Sequence, residues 1–122
     1  MMRSTFHLVP RDVWLAADPA APYAAPSLQT EGFIHCTDGT DELLRTANRH
    51  YRDDPRDFLA VSVDLDAAGS TWRIDDRGQV YPHVFGPIDR AAILDVAPLD
   101  RDRDGAFTFV GPAPSPSRAP RP

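Results

Sequence analysis

The sequence predicts an α+β domain with two main helices and many short strands. Three observations predict it. Helical periodicity appears twice, both times in the first half of the chain. Short β-branched and aromatic runs bounded by turn residues crowd the second half. No internal repeat alternates strand with helix, as a βαβ unit would.

Thr5-Phe6-His7-Leu8-Val9 reads as a short first strand. Pro10 suits the first position of a helix, where its missing N–H costs nothing, and Val13, Trp14 and Ala17 then repeat on one helical face. Pro19, Pro22 and Pro26 stop that helix and hold residues 19–27 as a loop. Gly32-Phe33-Ile34-His35-Cys36 reads as the second strand. Asp38 or Thr40 can cap the second helix, with Asp41 and Glu42 in its positive first turn. Leu43, Leu44, Ala47 and Tyr51 make its apolar stripe. Phe58 to Asp64, the most apolar run, is a third strand, and weaker strands follow at Thr71–Ile74, Val80–Phe85, Ile93–Ala97 and Phe107–Val110. Five of the thirteen prolines fall after Gly111 among Ala, Ser and Arg. Such a segment has nothing to bury, so residues 3–110 are read as one domain and 111–122 as a disordered Pro-rich tail.

Composition removes several functions. A net charge of −5 and a pI near 5.2 argue against a nucleic-acid or membrane-surface binder, which needs a basic stripe. All thirteen basic residues are Arg, which excludes lysine Schiff bases and a P-loop lysine. A single cysteine, Cys36, excludes an internal disulfide and a Cys-pair zinc site. The opening M-M-R-S-T-F-H is too polar for a signal peptide and no apolar run reaches membrane-spanning length, so a soluble cytoplasmic protein is expected.

Candidate chemistry rests on four histidines, His7, His35, His50 and His83. Three of them lie in strand-like runs beside aromatic residues, where an imidazole needs a partner or a ligand. His35, Cys36, His50 and His83 are zinc-ligand types, but their spacing fits no compact signature, so no metal is expected. Nothing locates a base for Cys36 as a nucleophile. Asp64/Asp66 and Asp75/Asp76 lie beside Gly69 and Gly78 and read as turn residues.

Two segments are more specific: Glu31-Gly32-Phe33-Ile34-His35-Cys36-Thr37, and Tyr81-Pro82-His83-Val84-Phe85-Gly86-Pro87. With Phe6-His7-Leu8 and Trp14 they resemble a family of small bacterial proteins of unassigned activity, carrying G-F-I-H-x-S/T and P-H-x-Y/F-G-P motifs. The resemblance spans about residues 4–98. It implies an ADP-ribosyltransferase-like fold, a bent, split mixed or antiparallel sheet around a nucleotide cleft. By the same resemblance His7 stands where the first strand holds a ribose hydroxyl. His35-Cys36-Thr37 is similar to a His–hydroxyl pattern of the RNA 2′-phosphotransferase branch. NAD is then implied as a substrate rather than a bound cofactor. Tyr51, Trp72, Tyr81 and Phe85 can wall a ring, and Arg45, Arg49 or Arg73 can face a diphosphate. The chain departs from the pattern in one respect. Transferases of this fold place a catalytic Glu late, whereas both glutamates here, Glu31 and Glu42, precede the third strand. His83 or Asp75/Asp76 occupies the late position.

These readings give an enzyme acting on NAD or an ADP-ribose- or nucleotide-bearing small molecule, with glycosyl or phosphoryl transfer as the chemistry. His35 and His83 are its catalytic groups, and His7, Thr37, Tyr51, Trp72, Tyr81 and Phe85 line its ligand site. A small-ligand binding protein without chemistry, and a biosynthetic enzyme catalysing cyclisation or isomerisation on the same fold, are the alternatives. The common expectation is convergence. His7, His35 and His83 should share one pocket with at least two of the four aromatic residues, with His83 set between Tyr81 and Phe85. His50, one step off the helix stripe, should stay outside. Strand alternation puts Phe33, His35 and Thr37 on one face, Ile34 and Cys36 on the other.

Overall fold

The computed structural model of the chain describes residues 2–74 and 78–111. The expectations for Asp75/Asp76 and for the segment beyond Gly111 lie outside the described residues. The elements are β1 (Ser4–Pro10), α1 (Arg11–Ala16), α2 (Ser27–Thr30), β2 (Ile34–His35), α3 (Thr40–Tyr51), β3 (Phe58–Asp64), β4 (Trp72–Ile74), β5 (Pro82–Val84), β6 (Ile93–Arg101) and β7 (Phe107–Val110). The strands form a sheet of order β1-β3-β6-β7 and a smaller one of order β2-β5-β4. Every strand pairing is antiparallel. Among the described residues a single backbone bridge joins the two sheets. Phe6 N–H donates to the Thr37 carbonyl at 3.0 Å, and Thr37 N–H donates back at 2.7 Å. The result is an α+β fold on a curled antiparallel sheet.

Alternation along β1 and β3 builds the two halves of the core. Ala60 and Phe58 face Leu43 and Ala47 of α3, together with Leu99 and Phe107. Leu59, Val61 and Val63 face the opposite way, onto Val9, Tyr23, Ile34, Cys36, Val84 and Ile88. Apolar layers on both faces explain why β3 is the most apolar run of the chain. Arg101 closes the end of α3: its guanidinium donates to the carbonyls of Tyr51, Arg52, Arg56 and Gly105 at 2.8–3.1 Å. The Tyr51 and Arg52 carbonyls are C-terminal acceptors that a helix leaves unsatisfied, and those of Arg56 and Gly105 belong to the loops beside it.

Several local expectations change. Pro10 closes β1 in an extended conformation (ψ 139°) instead of opening α1, which is shorter and buries no residue. The proline loop ends in the four-residue α2. β2 contracts to two residues, because Gly32 takes a left-handed φ of +87° that breaks the strand. Neither Asp38 nor Thr40 caps α3. Gly39 holds that position at φ +85°, and the Asp38 carboxylate instead takes two bonds from Arg3, at 2.6 and 3.1 Å. β6 runs past Ala97 to Arg101, and the Pro98 carbonyl accepts from the N–H of buried Gly111 at 2.8 Å.

Candidate functional site

The curl leaves one edge of β1 open. Phe6 turns both its peptide groups to Thr37, so by antiparallel alternation Thr5, His7 and Val9 turn theirs to β3. The Arg11 N–H to Asp57 carbonyl bond, 2.8 Å, continues that odd-numbered register. Leu8 therefore points its N–H and C=O away from β3, as Phe6 does. Among the described residues no backbone hydrogen bond reaches Leu8 on that side, although β2 lies beside β1 there. This open edge is the floor of a groove of about 810 Å³ lined from His7 to Pro10. That volume lies within the roughly 300–1,000 Å³ usual for a small-molecule site.

His7 anchors the floor. It is 5% exposed, with Nδ1 2.8 Å from the His35 carbonyl and Nε2 2.8 Å from the Tyr23 hydroxyl. A carbonyl only accepts, so Nδ1 carries the proton, and Nε2 of the neutral ring accepts from Tyr23. Burial pushes the imidazole down from 6.5 to about 4, against the opposing effect of the His35 carbonyl. Burial likewise raises the Tyr23 phenol. His7 is thus a neutral link between β1, β2 and the proline loop rather than a proton-exchanging group at neutral pH.

The first wall comes from β2 and β5. His35 and His83 are direct cross-strand partners, with ring centroids 5.7 Å apart. Phe33 stacks on His83 at 4.1 Å and 20°, which fixes that ring. The exposed His35 has its Nε2 3.1 Å from a Glu31 carboxylate oxygen. The carboxylate only accepts, so Nε2 donates, and Nδ1 holds the lone pair of the neutral ring. Glu31, His35 and His83 all line the groove. The Tyr81 hydroxyl donates to Glu42 of α3, and this bond, with a second from Arg45, holds the Glu42 carboxyl below its ordinary value. That contact closes the groove where the two walls meet.

The second wall is α3, through Thr46, Arg49, His50 and Tyr51. The first three stand at helical spacings of three and four residues, on a stripe beside the buried Leu43–Ala47 stripe. The Tyr51 ring packs on Phe58 at 4.8 Å, and Arg56 completes this end beside its partner Asp54 at 2.7 Å. Cys36 also borders the groove, but burial pushes its thiol up to about 12, so it is not a thiolate nucleophile.

A family model described as a protein of unknown function (DUF952) matches residues 8–96, a span that includes most of the floor and both walls. The chain belongs to the DUF952 family. Its fold is similar to that of protein CC0527 from Caulobacter crescentus. The crystal structure of that protein superposes with a TM-score of 0.68 at 24% identity, covering 87% of this chain and 94% of the other. A crystal structure of a double mutant gives the same figures. The solution NMR structure gives 0.66 at 22% identity, covering 85% and 90%. Likeness at this identity is likeness of fold. No curated protein matches the chain.

In this DUF952 protein the groove gathers His7, His35, His83, Thr37, Tyr51 and Tyr81. Trp72 and Phe85 stay outside its lining. Trp72 pairs in register with Val84, so it shares the buried face of β5, opposite to His83, under the Arg3 guanidinium. Phe85 lies edge-on to His83 at 6.4 Å beneath Arg73, just past the end of β5. The expected setting of His83 between Tyr81 and Phe85 is replaced by the Phe33 stack, because Tyr81 turns to Glu42. His50 is in the groove rather than outside it, since the wall is the flank of α3 beside its apolar stripe. Ile34 and Cys36 do face the core, at 0% and 2% exposure. No local pattern in the sequence singles out Tyr23, Glu31, Phe33, Thr46 or Arg56 for the site. For Glu31 and His35 the four-residue spacing was visible, but it marks an ion pair only on a helix. Here α2 and the Gly32 turn bring the two together.

Among the described residues no three His, Cys, Asp or Glu side chains group as a metal ion needs, and no helix is long and apolar enough to cross a membrane.

Proposed function

We propose that this protein is an enzyme acting on NAD or a related ADP-ribose-bearing nucleotide held in the groove, with an ADP-ribosyltransferase-like arrangement of the site. The observation that supports this reading is the meeting of His35, His83 and Glu31 in a groove that Leu8 also lines. A peptide N–H and C=O pointing the same way match the donor and acceptor of a primary carboxamide, so the nicotinamide amide docks on Leu8. The ribose then lies level with the two histidines. His35 Nδ1 takes the proton of an attacking water as its oxygen bonds to the anomeric carbon. The carbon–nitrogen bond breaks, its electron pair goes to the ring nitrogen, and neutral nicotinamide leaves. Glu31 orients His35 and provides the negative charge that favours an oxocarbenium-like transition state. On this reading Glu31, in the turn before β2, supplies the carboxylate that transferases of the resembled fold place late. Incubation with NAD is expected to release free nicotinamide, in stoichiometric excess over the protein. Failure to bind NAD or ADP-ribose at millimolar concentration would remove the reading.

A binding role without turnover is favoured by one observation. His7, which the resembled fold uses on a ribose hydroxyl, has both ring nitrogens engaged inside the protein. Saturable NAD binding with no nicotinamide released would select this second reading.

A further inference from the structure

We infer that the α3 wall is a phosphate-binding subsite, with Arg49 as its principal ligand and His50 beside it, so that the groove selects phosphorylated nucleotides over nucleosides. The inference rests on the proposed nucleotide reading for the direction in which the ligand lies.

Among the arginines raised by the sequence, the structure separates one from the others. The Arg45 guanidinium is bonded to Glu42 at 2.9 Å and does not line the groove. The Arg73 guanidinium lies over Phe85 at 4.7 Å and does not line the groove. Arg49 lines the groove and, among the described residues, has no carboxylate at ion-pair distance. Arg56, at the same end, has its charge offset by Asp54. A protein of net charge −5 therefore holds a guanidinium without a direct ion pair in the wall of its groove, with Glu42 acting on it only at longer range and an imidazole at the next position. The Thr46 hydroxyl, one turn earlier on the same stripe, is buried with no hydrogen-bond partner. Threonine in a helix occupies two χ1 rotamers, and exchange between them can turn the hydroxyl toward a ligand.

Placement agrees with the ligand's geometry. Tyr81 and Glu42 tie the first turn of α3 to β5, where the groove closes. The last turn, with Arg49 and His50, stands at the other end, where Tyr51 packs on Phe58 and Phe58 pairs with Pro10. From Leu8 to Pro10 is two residues of strand, about 7 Å. A ring docked on Leu8 thus has its phosphates beside the last turn of α3. A planar guanidinium gives a phosphate two parallel bonds.

The test is calorimetric titration of inorganic pyrophosphate and ADP-ribose into the full chain and two variants, Arg49→Gln and Arg103→Gln. Arg103 is an exposed residue outside the groove and serves as the charge control. Arg49→Gln is expected to weaken both ligands by roughly tenfold or more, as for a lost charge-assisted bond. Nicotinamide affinity and the melting temperature should be unchanged, and Arg103→Gln should behave as wild type. Equal weakening by Arg103→Gln, or none by Arg49→Gln, would overturn the subsite. ADP-ribose binding indifferent to Arg49 would do so while leaving the proposed function standing. Arg49-dependent pyrophosphate binding without any NAD binding would keep the subsite and remove the proposed function.

Discussion

Alanine in place of His35 is expected to lower NAD turnover by roughly 10²–10⁴-fold, the usual worth of a positioned proton-transfer group. The side chain is 53% exposed, so its removal opens no cavity and the melting temperature should hold. His83→Ala should lose activity on a similar scale, because the two rings face one space from adjacent strands. Glu31→Gln should cost less, since it leaves His35 in place while removing the carboxylate that fixes its tautomer. Steady-state kinetics beside thermal melts measure these effects. Turnover within twofold of wild type in both histidine variants would move the chemistry elsewhere in the groove.

The second large effect is on stability. His7 is neutral in the fold with its imidazole lowered from 6.5 to about 4, chiefly by burial and further by the neighbouring His35 ring. A base whose folded value lies below its unfolded one takes up its proton more readily once the chain unfolds. Its contribution is therefore complete above about 6.5, drains away as pH falls toward about 4, and then levels off. At about 1.4 kcal/mol per tenfold in proton affinity, the gap is worth about 3 kcal/mol. Urea unfolding from pH 8 to pH 4 should show wild type losing about that much more than His7→Gln, whose side chain can still donate to His35 and accept from Tyr23. Parallel pH profiles for the two proteins would show that His7 is protonated in the fold.

Much of the frame was legible because it follows from local rules. β3 and β7 fall on the expected residues, since each is a compact apolar run between turns. The buried stripe of α3 follows from helical spacing alone. Pro10 satisfies a strand end and a helix start equally well, and the Pro10–Phe58 pairing with β3, a partner far away in sequence, decides between them. The site was legible in its strand histidines, since an imidazole among apolar neighbours calls for an explanation wherever it occurs. Its other half was not. His50 and Thr46 look like solvent-facing helix residues until the β1 edge is seen to stop pairing after Phe6. Tyr23 carries no periodic signal inside a proline loop, and its role appears only through its bonds to His7 and to Ile88. Phe33 and Glu31 depend on a left-handed glycine between α2 and β2 to reach their histidines.

The most direct measurement is a ring-proton and ring-nitrogen NMR titration of the four histidines with ADP-ribose. His35, His83 and His50 should shift together with one midpoint, because they line one groove, while His7 keeps its protected Nδ1–H and its neutral tautomer. ADP-ribose at millimolar concentration that leaves His35 and His83 unmoved would contradict a nucleotide site in this groove.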